Sequence, residues 1–192
     1  MDINSLLGLL TSADSVGGLS QTTNVSSNGV QSILGAALPS LLTGALNQST
    51  NAGTAASFTN ALTQHSAANT SNLGSFFGSV DTDDGAKIVN HLLGDNAKTT
   101  IAQIAKQSGV SQKDTAKVLS AAAPLLMSLL GQQANTQQVS NNTTGVANMM
   151  SGLLGNADMT SLLGAMLGAG TTGTSSNKKT GGLLGALLGF LK

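Results

Sequence analysis

The chain has 192 residues, with a formal net charge of zero carried by eight basic and eight acidic side chains, and no cysteine. The missing thiols exclude disulfides, thiolate catalysis and cysteine-ligated metal, and the missing charge argues against nucleic acid or an anionic membrane as partner, since both need concentrated Lys and Arg. Apolar residues make up 40% but charged ones only 8%, so a core is available while Asn, Gln, Ser and Thr must solvate the outside, and a surface so close to neutral favours self-association.

In chain order, Asp2 is placed to cap a short helix over residues 2–10, with Ile3, Leu6, Leu7 and Leu10 on one side. Residues 14–48 read as a helical unit weakened by Gly17, Gly18, Gly29 and Gly35. Within the polar stretch 49–72, Ala55, Phe58 and Leu62 fall at helical spacing. Residues 73–78 read as a short apolar turn in which Phe76 and Phe77 are the largest aromatic anchor. Residues 81–94 predict a helix with Asp81, Asp83 and Asp84 at its N-terminus, Ile88, Val89 and Leu92 inward, and Gly94 at its end.

The most informative stretch is 101–133. Asp95 or Thr99 is placed to cap a helix that runs to about Gln107, with Ile101, Ile104, Ala105 and Ser108 on one face. Gly109 suits a left-handed helix end, Ser111 an N-cap, and Thr115, Val118, Leu119 and Ala122 a second apolar face. Pro124, lacking an N–H, is expected to begin a third, buried helix to about Gln133. At an offset of 85 residues Val16 meets Ile101, Leu19 meets Ile104, Asn24 meets Gly109, Ser26 meets Ser111 and Pro39 meets Pro124, which reads as an internal duplication. Beyond it, 140–168 predicts Leu- and Met-rich helices with Asp158 capping the second, 169–182 a flexible linker, and 183–192 a short apolar helix. No stretch alternates with period two. The expected fold is an all-α multi-helical array from two intertwined copies of a helix-turn-helix-helix unit, repeat one at about 2–48 and repeat two at about 82–133, within a helical domain 1–168.

Residues 85–133, with GAKIVNHLLG, IAQIAKQSGV and VLSAAAPLLMSLLG, and the LLG-rich ending at 183–189 resemble the YidB-like family of bacterial proteins of unknown function. The resemblance implies an all-helical array of two intertwined repeats and no activity, ligand or catalytic residue.

Chemistry-bearing signals are sparse. Residues 101–119 are similar to the helix-turn-helix of lactose-repressor-type proteins, yet the exposed positions are Gln112, Lys113, Asp114 and Lys117, and Asp114 would face phosphates. The DTDDG run at 81–85 glances at a calcium loop, but position 12 of such a loop would be Leu92 where glutamate is needed. Gly168, Gly170 and Gly173 match a dinucleotide-binding spacing with no strand before it. His65 and His91 are the two histidines, and either converging with aspartates in a polar cleft would point to a site. No catalytic, cofactor or metal residue is assigned and no small-molecule substrate identified.

The expected function is a non-enzymatic helical protein that self-associates or binds a protein partner through Leu/Gly/Met-rich helices. The alternatives are DNA binding through 101–119 and an exported assembly subunit. Residues 183–192 could also touch a membrane surface weakly. The N-terminus lacks a basic region before its apolar stretch and no apolar run reaches bilayer length, which points to the cytoplasm, with export by a non-standard route as the alternative.

Overall fold

Two long helices organise the structure, and each is entered through the same local device. In the computed structural model, which describes residues 3–155, Asn24 (φ 59°) and Gly109 (φ 69°) both take the left-handed conformation that ends a helix. Two residues later Ser26 and Ser111 accept the backbone N–H of Gly29 and Asp114, so each side chain satisfies an orphan donor of the helix it starts. The helices entered this way run Ser27–Thr50 and Gln112–Thr136.

The described elements are α1 (Ile3–Leu10), α2 (Ala13–Thr23), α3 (Ser27–Thr50), α4 (Ala55–His65), α5 (Leu73–Gly78), α6 (Thr82–Leu93), a 3-10 turn (Gly94–Asn96), α7 (Ala97–Ser108), α8 (Gln112–Thr136) and α9 (Thr143–Gly155). No strand occurs among the described residues, so the described fold is all-α. The expectations placed on Asp2, on Asp158 and residues 156–168, on the linker 169–182 and on 183–192 lie outside the described residues.

Several local expectations are corrected. Pro39 and Pro124 begin no helix: each lies inside a continuous one. A proline costs its helix one hydrogen bond, to the carbonyl four residues back. For Pro124 that carbonyl is Ser120, and Gly85 of α6 lies directly over it, because a methyl group placed on Gly85 would coincide with that oxygen. Burial on every side then holds α8 together through the proline, with residues 121–131 all inaccessible. Thr43 Oγ1 and Ser128 Oγ each donate to the carbonyl of the preceding proline, both at 2.8 Å. Residues 73–78 are a one-and-a-half-turn helix rather than a turn, capped by Asn72, which accepts from Ser75 N–H. The start of α7 falls at Asn96, preceded by the 3-10 turn, so neither Asp95 nor Thr99 caps it.

The core is one cluster drawn from all nine helices. It includes Leu6 and Leu10 of α1, Val16 and Leu19 of α2, Ile33, Leu34, Leu41 and Leu42 of α3, and Phe58 and Leu62 of α4. Phe77 of α5, Val89 and Leu92 of α6, Ile104 of α7 and an almost unbroken run from Val118 to Leu130 of α8 complete its centre. Among the described residues α6 lies along α8 more extensively than any other pair meets. Helices α3 and α7 pack together, as do α2 and α8, so the two halves are interleaved. The face of α3 is closed by α9 through Val146, Met149, Met150 and Leu153, all buried. Ser27–Thr50 is long and apolar enough to cross a bilayer by composition, yet its Val30, Ile33, Ala37 and Ala45 belong to this same core.

One buried hydroxyl is out of place. Thr115 is fully inaccessible and its Oγ1 has no hydrogen-bond partner. The residue 85 positions earlier is Val30, equally buried and apolar. A buried hydroxyl without a partner carries a desolvation cost of about 1–3 kcal/mol. Thr115→Val keeps the shape and removes the cost, so it is expected to raise the stability by about 1 kcal/mol in denaturant unfolding.

Candidate functional site

The cleft of interest, lined by apolar as well as polar groups, forms where four elements meet. Helix α4 ends at His65, and the segment after it carries Ala68, Asn69 and Asn72 along the rim. Helix α5 contributes Ser75 and Phe76, the start of α6 contributes Asp81 and Asp84, and α8 supplies the floor through Pro124 and Ser128. The cleft has a volume of about 560 Å³. His65 Nε2 stands 3.7 Å from Asp84 Oδ2, too long for a direct hydrogen bond and close enough for an ion pair once the imidazole is protonated. Both ends of the pair are partly exposed, at 23% and 44%.

The local sequence explains this convergence. His65 lies in the last turn of α4 and Asp84 in the first turn of α6, so each helix dipole favours the charge it meets. Asp81 is the N-cap of α6, its Oδ1 accepting the N–H groups of Asp83 and Asp84 at 2.9 and 3.1 Å. The DTDDG run is thereby used as a cap. Ser128 is fully buried and its hydroxyl donates to Pro124 O. His91 lies elsewhere: it is exposed near the end of α6, and its backbone carbonyl accepts from Gln48 Nε2. Sequence spacing did not bring His65 to an aspartate, because the 18 positions between His65 and Asp84 include a loop and α5; the capping sense of DTDDG was the available signal for half of the pair. Among the described residues no three His, Cys, Asp or Glu side chains gather as a metal would require.

The helix-turn-helix segment presents a different surface. Ile104 and Ala105 of α7 and Thr115, Val118 and Leu119 of α8 are buried, while Lys106, Gln112, Lys113 and Lys117 are exposed. Lys117 Nζ is 3.3 Å from Asp114 Oδ1, so one of the two cations at the start of α8 is tied to an anion. The turn itself is packed, since a methyl on Gly29 near the start of α3 would touch Val110 in the turn between α7 and α8.

Residues 5–133 match the family model described as bacterial protein of unknown function (DUF937). The chain belongs to this family. That agrees with the YidB-like resemblance of residues 85–133. No curated protein and no solved structure matches the chain. The DUF937 segment contains every residue of the His65–Asp84 cleft, all of α3 and all but the last turn of α8, whereas α9 follows it.

At the start of α8 the DUF937 segment carries a perturbed carboxylate. Ser111 Oγ donates to Asp114 Oδ2 at 2.8 Å and, with Lys117, holds the Asp114 carboxyl below the usual aspartate range. A depressed folded-state pKa adds stability that is complete above the unfolded value and fades as pH falls through the folded one. Asp114→Asn is therefore expected to flatten the acid limb of a melting-temperature profile. Ser111→Ala removes the same interaction together with the cap and is expected to cost a further ~1 kcal/mol at neutral pH. Thermal melts of the two variants from acid to neutral pH check both expectations.

Proposed function

We propose that this DUF937 protein is a non-enzymatic helical module that associates with itself, or with a protein partner, through Leu-, Gly- and Met-rich segments in its C-terminal part. The observation that supports this is the division of apolar side chains. Among the described residues Leu9, at 37%, is the exposed large hydrophobic. Residues 156–192 nevertheless hold eight leucines, two methionines and Phe190. A neutral chain with that composition loses free energy by covering those side chains with a second copy. In this reading the paired units α2–α3 and α7–α8 are the products of an internal duplication, and the protein acts in the cytoplasm, a placing that protease protection in intact against lysed cells would test. Light scattering on the full chain against a variant with Leu163, Leu167, Leu183 and Leu187 each changed to Asp tests the association. The full chain is expected to be oligomeric and the variant smaller; equal monomer masses would refute the reading.

The His65–Asp84 cleft supports a second reading, a site for a small polar molecule with His65 as a proton acceptor. Thermal shifts against small polyols and amines that vanish in His65→Ala would favour it over the first. DNA reading by 101–119 is disfavoured by the Asp114 carboxylate and the tied Lys117. A salt-dependent gel shift weakened by Lys113→Ala with Lys117→Ala would reverse that preference.

A further inference from the structure

The groove along α3 and α4 is built from the family segment, but the helix that fills it is not. Val30, Ile33, Leu34, Leu41, Phe58 and Leu62 belong to residues 5–133, while α9, with Val146, Met149, Met150 and Leu153 buried, lies beyond them. Helix α9 meets α3 and α4 and reaches them across a six-residue connection, 137–142. The second residue of that connection, Gln138, has a strained backbone.

Among the described residues Asn24 and Gln138 are the two other than glycine with positive φ. At the left-handed ends of α2 and α7 the chain places Asn24 and Gly109, the residues that tolerate that conformation best. At the end of α8 it places Gln138, with φ 58°. The geometry there is otherwise a complete helix stop: Gln138 N–H donates to Asn135 O at 3.0 Å and Val139 N–H to Ala134 O at 2.9 Å. A side chain with a Cβ and no local hydrogen-bonding capacity of the asparagine kind is held in the turn that folds α9 back. The turn is pinned to the body by Thr63 Oγ1, which donates to Ser140 O at 2.8 Å, and Asn142 caps α9 by accepting Gly145 N–H at 3.0 Å.

We propose that α9 is an exchangeable arm: two copies of this chain dimerise by straightening residues 137–142 and seating each α9 in the α3–α4 groove of the other. The proposal rests on the self-association reading and names its contact. The contacts of Val146, Met149, Met150 and Leu153 with the groove are the same in both arrangements; straightening gives up the packing of Val139 against Gly145 and the Thr63–Ser140 hydrogen bond and releases Gln138 from the left-handed region in both copies. A short, strained, polar hinge beside a complete amphipathic arm is the combination that makes such an exchange inexpensive.

The test uses the full chain, refolded from denaturant at low and at high protein concentration and weighed by light scattering after chromatography. Refolding at high concentration is expected to yield a dimer that persists on dilution, because return requires α9 to leave its groove. Gln138→Gly relieves the strain in the closed form only. With a hinge relieved in each copy, the dimer dissociation constant is expected to rise by about tenfold or more. Removing residues 139–141 leaves too little chain to fold back and is expected to give an obligate dimer of unchanged helix content by circular dichroism. The fourfold Asp variant at Leu163, Leu167, Leu183 and Leu187 separates this from association through residues 156–192. A dimer that survives those four substitutions and weakens with Gln138→Gly supports the swap. A dimer abolished by the four substitutions and indifferent to Gln138→Gly overturns the swap while leaving the broader reading intact. Monomers under all conditions overturn both.

Discussion

Replacing Gly85 with alanine is expected to destabilise the protein by about 3 kcal/mol, lowering the melting temperature by about 6–12 °C for a chain of this size. The added methyl has no room. It would coincide with the Ser120 carbonyl oxygen and press on the Pro124 ring. That carbonyl is the one whose intrahelical donor is missing because residue 124 is proline. Helix α6 comes in over it with a residue that has no side chain, allowing the glycine Cα–H groups to approach the oxygen and water to be kept out. Alanine must therefore push α6 off α8, and that interface is the most extensive in the described fold. The matched control is Gly17→Ala in α2. A methyl there meets nothing, so the substitution is expected to stabilise by about 0.5–1 kcal/mol through helix propensity. Denaturant unfolding of both variants measures the pair of opposite effects. A Gly85→Ala protein as stable as wild type would show that the close approach of α6 to α8 is not what holds Pro124 inside the helix.

The same contrast explains what could be read before any coordinates. The αL–Ser cap devices at Asn24–Ser26 and Gly109–Ser111 are local chemistry, and local chemistry is written in consecutive residues. The Asp81 cap and the Gly94 stop of α6 were legible for that reason. Pro124 was misplaced because its cost is settled by a neighbour far along the chain. Sequence pattern marks the lost N–H, but not that Gly85, 39 residues upstream, covers the carbonyl it leaves. The glycines of α2 show the same limit. Gly17 and Gly18 look alike in sequence, yet Gly17 faces open space, while the Phe77 ring lies so close over Gly18 that a methyl would overlap it. The cleft was half legible. The acidic start of α6 was visible, but its meeting with His65 depends on how α4 and α6 lie against α8, and no spacing rule encodes that.

Phe58→Ala is expected to cost about 3–5 kcal/mol, more than the loss of either partner of an exposed ion pair and enough to remove much of the stability of a domain of this size. The adjacent phenylalanines, Phe76 and Phe77, are the conspicuous aromatic feature of the sequence. Their rings meet edge to face at 5.4 Å and 89°. The structure divides their work unequally, since Phe77 is 2% exposed while Phe76 remains half-buried on the wall of the cleft. Phe58 stands alone in a polar stretch and is 1% exposed, among the largest fully buried side chains. It lies four residues before Leu62 on the inner face of α4, where Gly131 of α8 lies against the Leu62 carbonyl so closely that a methyl would overlap it. Backbones brought that near leave no slack for a cavity to collapse into, so the space vacated by the ring stays open and its full cost is felt. Phe76→Ala, losing a partly wet ring and one edge-to-face contact, should cost only about 1–2 kcal/mol. If chemical denaturation ranked the two substitutions in the opposite order, the centre of the core would lie under α5 and not between α4 and α8.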